Sequence, residues 1–374
     1  MSGILFSPEQ AMLADIATRF FRDKWSVEST REQLTSETGF DRDLWAEMTD
    51  AGWLGIAVPE GLGGTGLGAV ELVSLVEPMG RCLFASPFLS TQLVIQGLLN
   101  AGVGNGAEAL RQEWLPRLAE GAIATLAAVD LEGGWALESS VSRAEVSGSK
   151  VTLHGAKSFV LDAGEAELFL VTTVLDNEPA LIALERSRIP DAALERETVI
   201  DETRRSYRLT LDGVEVDDGS LIRGEAALAA LRAIGDIALL LVSAESCGGI
   251  AGTLEIVVDY LKSRTQFDRK IGSFQALKHP TVDILIGLER SRSHLYHAAT
   301  VFGEAEAPTA LRMLKAEASE SFAFAGDRAV QFHGAFGFTY ECDAQLFLRR
   351  ALWCQSQYGD AMHHRKHLAD LLLC

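Results

Sequence analysis

The stretch SRTQFDRKIGSFQALKH, residues 263–279, decides how this chain is read. A long apolar-periodic run, AALAALRAIGDIALLLVSAESCGGIAGTLEIVVDYLKSR (226–264), reads as a helix that ends at Arg264. Gln266 and Phe267 follow at once, a turn comes next, and Phe274-Gln275 opens another helix. The generic reading is a helical hairpin with a solvated basic tip. The residue types suit narrower work. Arginine carries a fixed fork of donors that matches a pyrophosphate. Phenylalanine offers a flat apolar face to a purine ring. Glutamine amides pair with ribose hydroxyls or ring nitrogens.

Outward from this stretch the hydrophobic period changes. From 225 to the end it is helical throughout. Between 122 and 224 it shortens towards two. Val151-Thr152-Leu153 and Phe159-Val160 lie between glycine and serine breaks, and Leu168–Thr173 is rich in strand formers. Tyr207, Leu209 and Leu211 alternate, Asp212-Gly213 reads as a hairpin turn, and Val214 and Val216 resume. Before 122 the chain is helical again. Ser7-Pro8-Glu9-Gln10 is a helix start, with Leu13, Ile16, Phe20 and Phe21 behind it, and further helices are predicted at 41–52, 68–80 and 107–119. This order gives an α+β class in three regions: an N-terminal helical domain (1–121), a middle antiparallel β domain (122–224) and a C-terminal helical domain (225–374).

One motif competes for the chemistry. GLGGTG, 61–66, fits G-x-G-x-x-G, the phosphate loop of nicotinamide enzymes. That fingerprint needs a buried strand before it and an acidic residue about 20 positions on. Trp45, Gly52, Trp53 and Pro59 make the approach a helix end and turn, and CLFASPFLSTQLVIQGLLNAG after Arg81 has no acid. The expected structure is a glycine-rich connection between helices.

The hairpin, by contrast, has company. R-x-Q-F-x-x-x-I-x-x-F-Q, formed by Arg264, Gln266, Phe267, Ile271, Phe274 and Gln275, resembles the signature of the acyl-CoA dehydrogenases. QFHGAFGFTYE, 331–341, is similar to that family's Q-x-x-G-G-x-G-x-x-x-E segment, with Ala335 for the second glycine. GAKSFV, 155–160, looks like its G-x-K-x-W/F-I/V strand, and Pro59-Glu60 precede the glycines as in many members. The resemblance covers nearly the whole chain. It implies a C-terminal four-helix bundle, an oligomer (dimer or tetramer, of one chain or two), and FAD as cofactor. Arg264, Gln266, Phe267, Phe274 and Gln275 would grip the adenine and pyrophosphate half of an FAD held mainly by the neighbouring subunit. Gln331 and the loop from Gly334 to Gly337 would approach the same cofactor, and Phe159 would lie against the isoalloxazine. The implied reaction is α,β-dehydrogenation of an acyl-CoA thioester, with electrons leaving to an electron-transfer flavoprotein.

Such a reaction needs a carboxylate base beside the α-proton. Most members carry a Glu in a Y-E-G-T segment after R-D/R-A. In RRALWCQSQYGDAMHHR, 349–365, an ungapped alignment puts Tyr358 there, with Asp360 two residues on. A phenol with pKa about 10 is a poor base at neutral pH. Other members place the Glu on the long helix, at a position matched here by Ala238. Glu245, seven residues later, returns to within about 20° of that face but lies roughly 10 Å along the axis. The candidates are therefore Glu245, Asp360, or no base in this chain, with a packing Glu paired to an Arg as the plain reading of Glu245. Two further departures stand out: AAVDLEGG, 127–134, replaces the family's T-E-P segment, and Leu161 stands where a flavin-contacting Thr is expected. Some actinobacterial members form mixed tetramers that act on bulky acyl-CoAs such as steroid side chains. The first expectation is an active dehydrogenase; the alternative is a non-catalytic partner in such a mixed assembly, since this chain keeps the hairpin half of an FAD site better than the flavin-ring half.

Bulk properties agree. A net charge of -19 disfavours nucleic acid and anionic membrane as partners. Cys82, Cys247, Cys342, Cys354 and Cys374 form no CxxC, which reads as reduced thiols in a cytoplasmic protein. MSGILFSPEQAMLADI has no signal-peptide pattern, and the apolar run around Asp236 and Glu245 is expected to be a buried helix. His363, His364 and His367 are expected on a solvated helix end, with no metal implied.

Overall fold

The computed structural model describes residues 7–102 and 106–373. Cys374 and the start of the N-terminal segment lie outside them. Helices come first: α1 (Pro8–Lys24), α2 (Val27–Gln33), α3 (Arg42–Asp50), α4 (Val73–Arg81), α5 (Phe88–Asn100) and α6 (Ala107–Ala119). Strands follow: β1 (Ala124–Ala127), β2 (Val129–Asp130), β3 (Arg143–Ser147), β4 (Lys150–His154), β5 (Ala156–Leu161), β6 (Leu168–Leu175), β7 (Glu178–Glu185), β8 (Leu194–Glu197), β9 (Ser206–Thr210), β10 (Val214–Asp217) and β11 (Leu221–Arg223). The last region is α7 (Glu225–Ser263), a short hairpin of β12 (Thr265–Gln266) and β13 (Arg269–Lys270), then α8 (Gln275–Thr300), α9 (Ala307–His333), α10 (Asp343–Ser356) and α11 (Ala361–Leu373). The helical, β, helical order is that of the sequence reading.

The helix starts have local causes. Ser7 Oγ accepts from the Gln10 N–H at 3.2 Å while Gln10 Oε1 accepts from the Ser7 N–H at 3.0 Å. Such a capping box contributes about 1 kcal/mol to a helix end. Asp41 Oδ1 does the same for α3, accepting from Asp43 N and Leu44 N. α5 escaped the sequence reading for a physical reason. Every residue from Phe88 to Leu98 is buried, so no polar face exists to mark a helical period.

By packing, the chain forms two units: one of Met1–Glu32, Val70–Phe84 and Leu239–Cys374, the other of Gln33–Ala69 and Ala85–Ala238. The second unit holds the β region. One sheet runs β10-β4-β3-β6-β7-β11 with β1 also on β6, and another runs β2-β5-β9-β8. Pairing is antiparallel except for β1 on β6 and the single β3–β6 contact, which are parallel. The Asp212-Gly213 turn does not close a hairpin. β9 pairs with β5 and β8, whereas β10 pairs with β4, so the turn carries the chain from one sheet to the other. It is fastened by Gly213 N donating to Leu153 O and by Asp212 Oδ1 accepting from Gly155 N.

The glycine run of 61–66 is a turn, as expected. No strand precedes it; Glu60–Leu62 is a single 3-10 turn, and Gly66 N donates back to Val58 O at 2.9 Å. A side chain on Gly64 would sit 2.0 Å from that same carbonyl, so the glycine is needed to fold the segment on itself.

In the first unit α9 packs on α8, α10 and α11, and α1 packs on α4. α7 is long and apolar enough to cross a membrane by composition, yet 67% of its most apolar window is buried within the protein. It is a core helix.

Candidate functional site

The decisive stretch is a two-residue β-hairpin. Gln266 pairs with Arg269, and Phe267 and Asp268 form the turn with φ of 51° and 57°. Positive φ at both positions defines a turn that favours Asn-Gly, and a phenylalanine there is held against its own preference. The hairpin is nevertheless well fixed. Arg264 N donates to Tyr260 O, Ile271 N donates to Arg264 O, and Lys270 Nζ donates to Ser263 O at 2.7 Å. Beneath it Val257, Leu261, Ile271, Ala329, Cys342 and Ala344 form a buried cluster, with Phe274 packed against it. Arg264, Gln266 and Gln275 are exposed, and Phe267 is 83% exposed. The structure thus presents donors and an aromatic face outward from a rigid base.

The end of α9 lies in the same cluster. His333 stacks on Tyr260 with ring centroids 4.0 Å apart, and its Nδ1 lies 2.7 Å from Ala329 O. Gln331 and Gly334 are exposed beside it. Gly334 has φ 65°, and a side chain there would meet nothing. Gly337 is different: a side chain would stand 2.3 Å from Val330 O, so this glycine lets the loop fold onto the helix it leaves.

Phe159 belongs to the second unit. The β5–β9 register shifts between Lys157 and Val160, and Phe159 has φ 53° and is 45% exposed. Its N–H donates to Glu197 Oε2 at 2.9 Å, and Ser158 Oγ donates to Glu197 Oε1 at 2.6 Å. A carboxylate therefore replaces the missing ladder bonds and holds the bulge. Lys157, fully buried, pairs with Asp130 at 2.8 Å. Leu161 offers no side-chain donor; its carbonyl accepts from Thr125 Oγ1.

The two carboxylates singled out as bases are both occupied. Glu245 Oε1 lies 2.5 Å from Arg350 Nη1, with the side chains 4% and 1% exposed. α4 presses on the same point, where a side chain on Gly80 would be 2.1 Å from Glu245 O. Asp360 is exposed, and its Oδ1 accepts from His363 N at 2.8 Å, the bond of a residue that caps α11. Tyr358 is buried at φ 55°, and burial pushes its phenol upward.

Around this turn lies a basic core that sequence reasoning missed. Lys315 is fully buried and donates to Ser319 Oγ and to the carbonyls of Cys354, Gln355 and Gly359. Burial lowers it to about 8. Its spacing from Leu311, Leu314 and Ala318 on the core face of α9 was the available signal. His364 corrects the expectation of a solvated helix end, because it is 1% exposed. Its Nε2 donates to Tyr358 O at 3.0 Å, which leaves Nδ1 to accept from Arg312. Burial, then Lys315 and Arg312, lower it to about 3. Below pH 6.5 an unfolded imidazole gains a proton that this one refuses. Stability is therefore expected to drain as pH falls from about 6.5 towards 3, by several kcal/mol in all. His364→Gln, which retains a donor for Tyr358 O, should flatten that part of a urea-stability profile against pH; an unchanged profile would remove His364 as its cause. Among the described residues no group of His, Cys, Asp or Glu is arranged to hold a metal.

Comparison with known proteins now bears on this geometry. Residues 7–122 match the model of the acyl-CoA dehydrogenase N-terminal domain, and 237–373 match that of the acyl-CoA dehydrogenase C-terminal domain. The acyl-CoA dehydrogenase FadE27 of Mycobacterium tuberculosis is 32% identical over 274 residues, 73% of this chain and 70% of that protein. The chain belongs to the acyl-CoA dehydrogenase family. Among solved structures it is similar to the ChsE4-ChsE5 complex from Mycobacterium tuberculosis, at 25% identity and TM-score 0.87 over 98% of each chain. A variant of the Tcur3481-Tcur3483 steroid ACAD matches at 27% identity and TM-score 0.85, again over 98% of each chain.

As an acyl-CoA dehydrogenase the chain is of an oxidoreductase family whose cofactor is FAD. Its residues fit that cofactor unequally. The hairpin supplies an exposed guanidinium, an amide and an outward phenyl ring, the donor set for a pyrophosphate and a purine. On the β side Phe159 supplies a ring face, while Leu161 supplies no side-chain hydrogen bond.

Proposed function

We propose that this acyl-CoA dehydrogenase chain serves in FAD-dependent α,β-dehydrogenation of an acyl-CoA thioester as the non-catalytic subunit of a mixed assembly, completing a partner chain's FAD site. One observation carries this reading: the hairpin residues are presented while both candidate carboxylates are engaged elsewhere, Glu245 in a buried ion pair and Asp360 as a helix cap. When bound, FAD supplies an acceptor for the β-hydride. Arg264 would neutralise the pyrophosphate, Gln266 and Gln275 would bond the nucleoside end, and Phe267 would cover the adenine. Gln331 and the loop from Gly334 to Gly337 would close on the same end. Proton abstraction would fall to a carboxylate of the partner chain, and the electrons would pass to an electron-transfer flavoprotein. The similar structures, the ChsE4-ChsE5 complex and a steroid ACAD, support a mixed assembly and a bulky acyl group.

A second reading, a dehydrogenase complete in itself with Glu245 or Asp360 as base, draws on Phe159. A phenylalanine at positive φ costs about 1–2 kcal/mol, and such strain tends to persist at functional sites. Flavin content separates the two. Purified alone, the chain should be colourless; with a co-expressed homologous chain the assembly should hold about half a flavin per chain. A yellow chain with one FAD of its own would establish the second reading instead.

A further inference from the structure

Arg31, on α2, is remote in sequence from the residues of the candidate site. Its Nε donates to Tyr340 O at 3.1 Å, and its Nη2 donates to Glu341 O at 3.3 Å and to Asp343 Oδ1 at 2.6 Å. Nη1 is left for Glu28. The side chain is 22% exposed. The helix that carries it is itself anchored. Thr30 Oγ1 lies 3.3 Å from Cys82 O and 3.2 Å from Leu83 O, and accepts from Trp25 Nε1 at 2.8 Å. The segment it reaches is the exit of the loop that begins at Gly334. Within that loop the backbone bonds are short turns, Gly337 to Gly334, Thr339 to Phe336 and Cys342 to Thr339. No strand ladder fixes where the loop leaves the body, and Phe336, Phe338 and Tyr340 on it are exposed.

One guanidinium therefore does what a ladder would do, seizing two successive carbonyls and the first carboxylate of α10 at once. We propose that Arg31 is a positioning residue for the cofactor-facing loop 334–341, holding it in register for the FAD of a neighbouring chain. This rests on the function proposed above. Lysine cannot replace it, because a single ammonium on a flexible stem does not span a fork of acceptors on three residues.

The test uses the flavin-containing assembly and follows FAD release by the rise in flavin fluorescence. Arg31→Lys should release FAD about tenfold faster, with the subunit ratio unchanged and the thermal midpoint of the flavin-free chain, purified alone, unchanged. Glu28→Gln, which touches the outer nitrogen, should behave as the parent. Parental FAD release from Arg31→Lys overturns the inference. So does faster release accompanied by a lowered thermal midpoint of the flavin-free chain, since that marks general stabilisation. Arg264→Ala is the companion variant. If it sheds FAD while Arg31→Lys does not, only the role of Arg31 fails. If it retains FAD, the hairpin reading fails and the role of Arg31 with it.

Discussion

Glu245→Gln is expected to destabilise the protein by about 3 kcal/mol, rather than to silence a base in a stable fold. The carboxylate and Arg350 are both nearly excluded from solvent and 2.5 Å apart. Glutamine keeps the shape and one acceptor, but it leaves a guanidinium charge buried against a neutral group. Removing one partner of a buried pair typically costs about 3–5 kcal/mol, and an isosteric change belongs at the lower end. Arg350→Met should cost a similar amount, whereas the double variant Glu245→Gln with Arg350→Met should recover most of the loss, because no charge is stranded. Urea unfolding of the parent, the two single variants and the double variant measures this coupling. A Glu245→Gln protein of parental stability whose flavin-loaded assembly no longer turns over would return Glu245 to the role of base.

What the sequence made legible follows from how local each cause is. Ser7, Pro8 and Gln10 start α1 through bonds three residues apart, and the pattern alone showed them. The turn between α7 and α8 is legible because the helix end at Ser263 and the helix start at Gln275 lie in one short segment, whereas the β-hairpin within it carries no strand period. Glu245 was seen as a buried carboxylate in an apolar helix, but its partner lies 105 residues away, so only the type of partner was legible. α5 has no polar face and left no period. The Asp212-Gly213 turn was identified as a turn, yet which strands it separates depends on pairings with β4 and β5 that no turn residue encodes. Arg31 illustrates the limit, since its contacts with the loop exit span 309 and more residues and its neighbours in sequence give no sign of them. His364 departs from its expected solvated place for a related reason. The charged Arg365 and Lys366 beside it suggest a solvated end, while helical spacing from Ala361 and Leu368 turns His364 inward.

Phe267→Asn separates stability from function most sharply. The turn of Phe267 and Asp268 needs positive φ twice, and asparagine enters that region more readily than phenylalanine. With 83% of Phe267 exposed, little packing is lost on its removal beyond the edge contact with Phe274 at 6.1 Å. The variant should therefore fold as well as the parent or better, by up to about 1 kcal/mol. Its effect on cofactor retention should run the other way. Stacking of a base on an aromatic side chain is worth about 1–3 kcal/mol, so the assembly's affinity for FAD should fall by roughly ten- to a hundredfold. A residue kept for structure lowers both quantities together when it is replaced; one kept for a ligand lowers only the second. Equilibrium dialysis of FAD alongside thermal unfolding reads both. Unchanged FAD affinity in Phe267→Asn would mean that the ring is presented to something other than the cofactor, and the assignment of this hairpin to an FAD site would then rest on Arg264 and Gln266 alone.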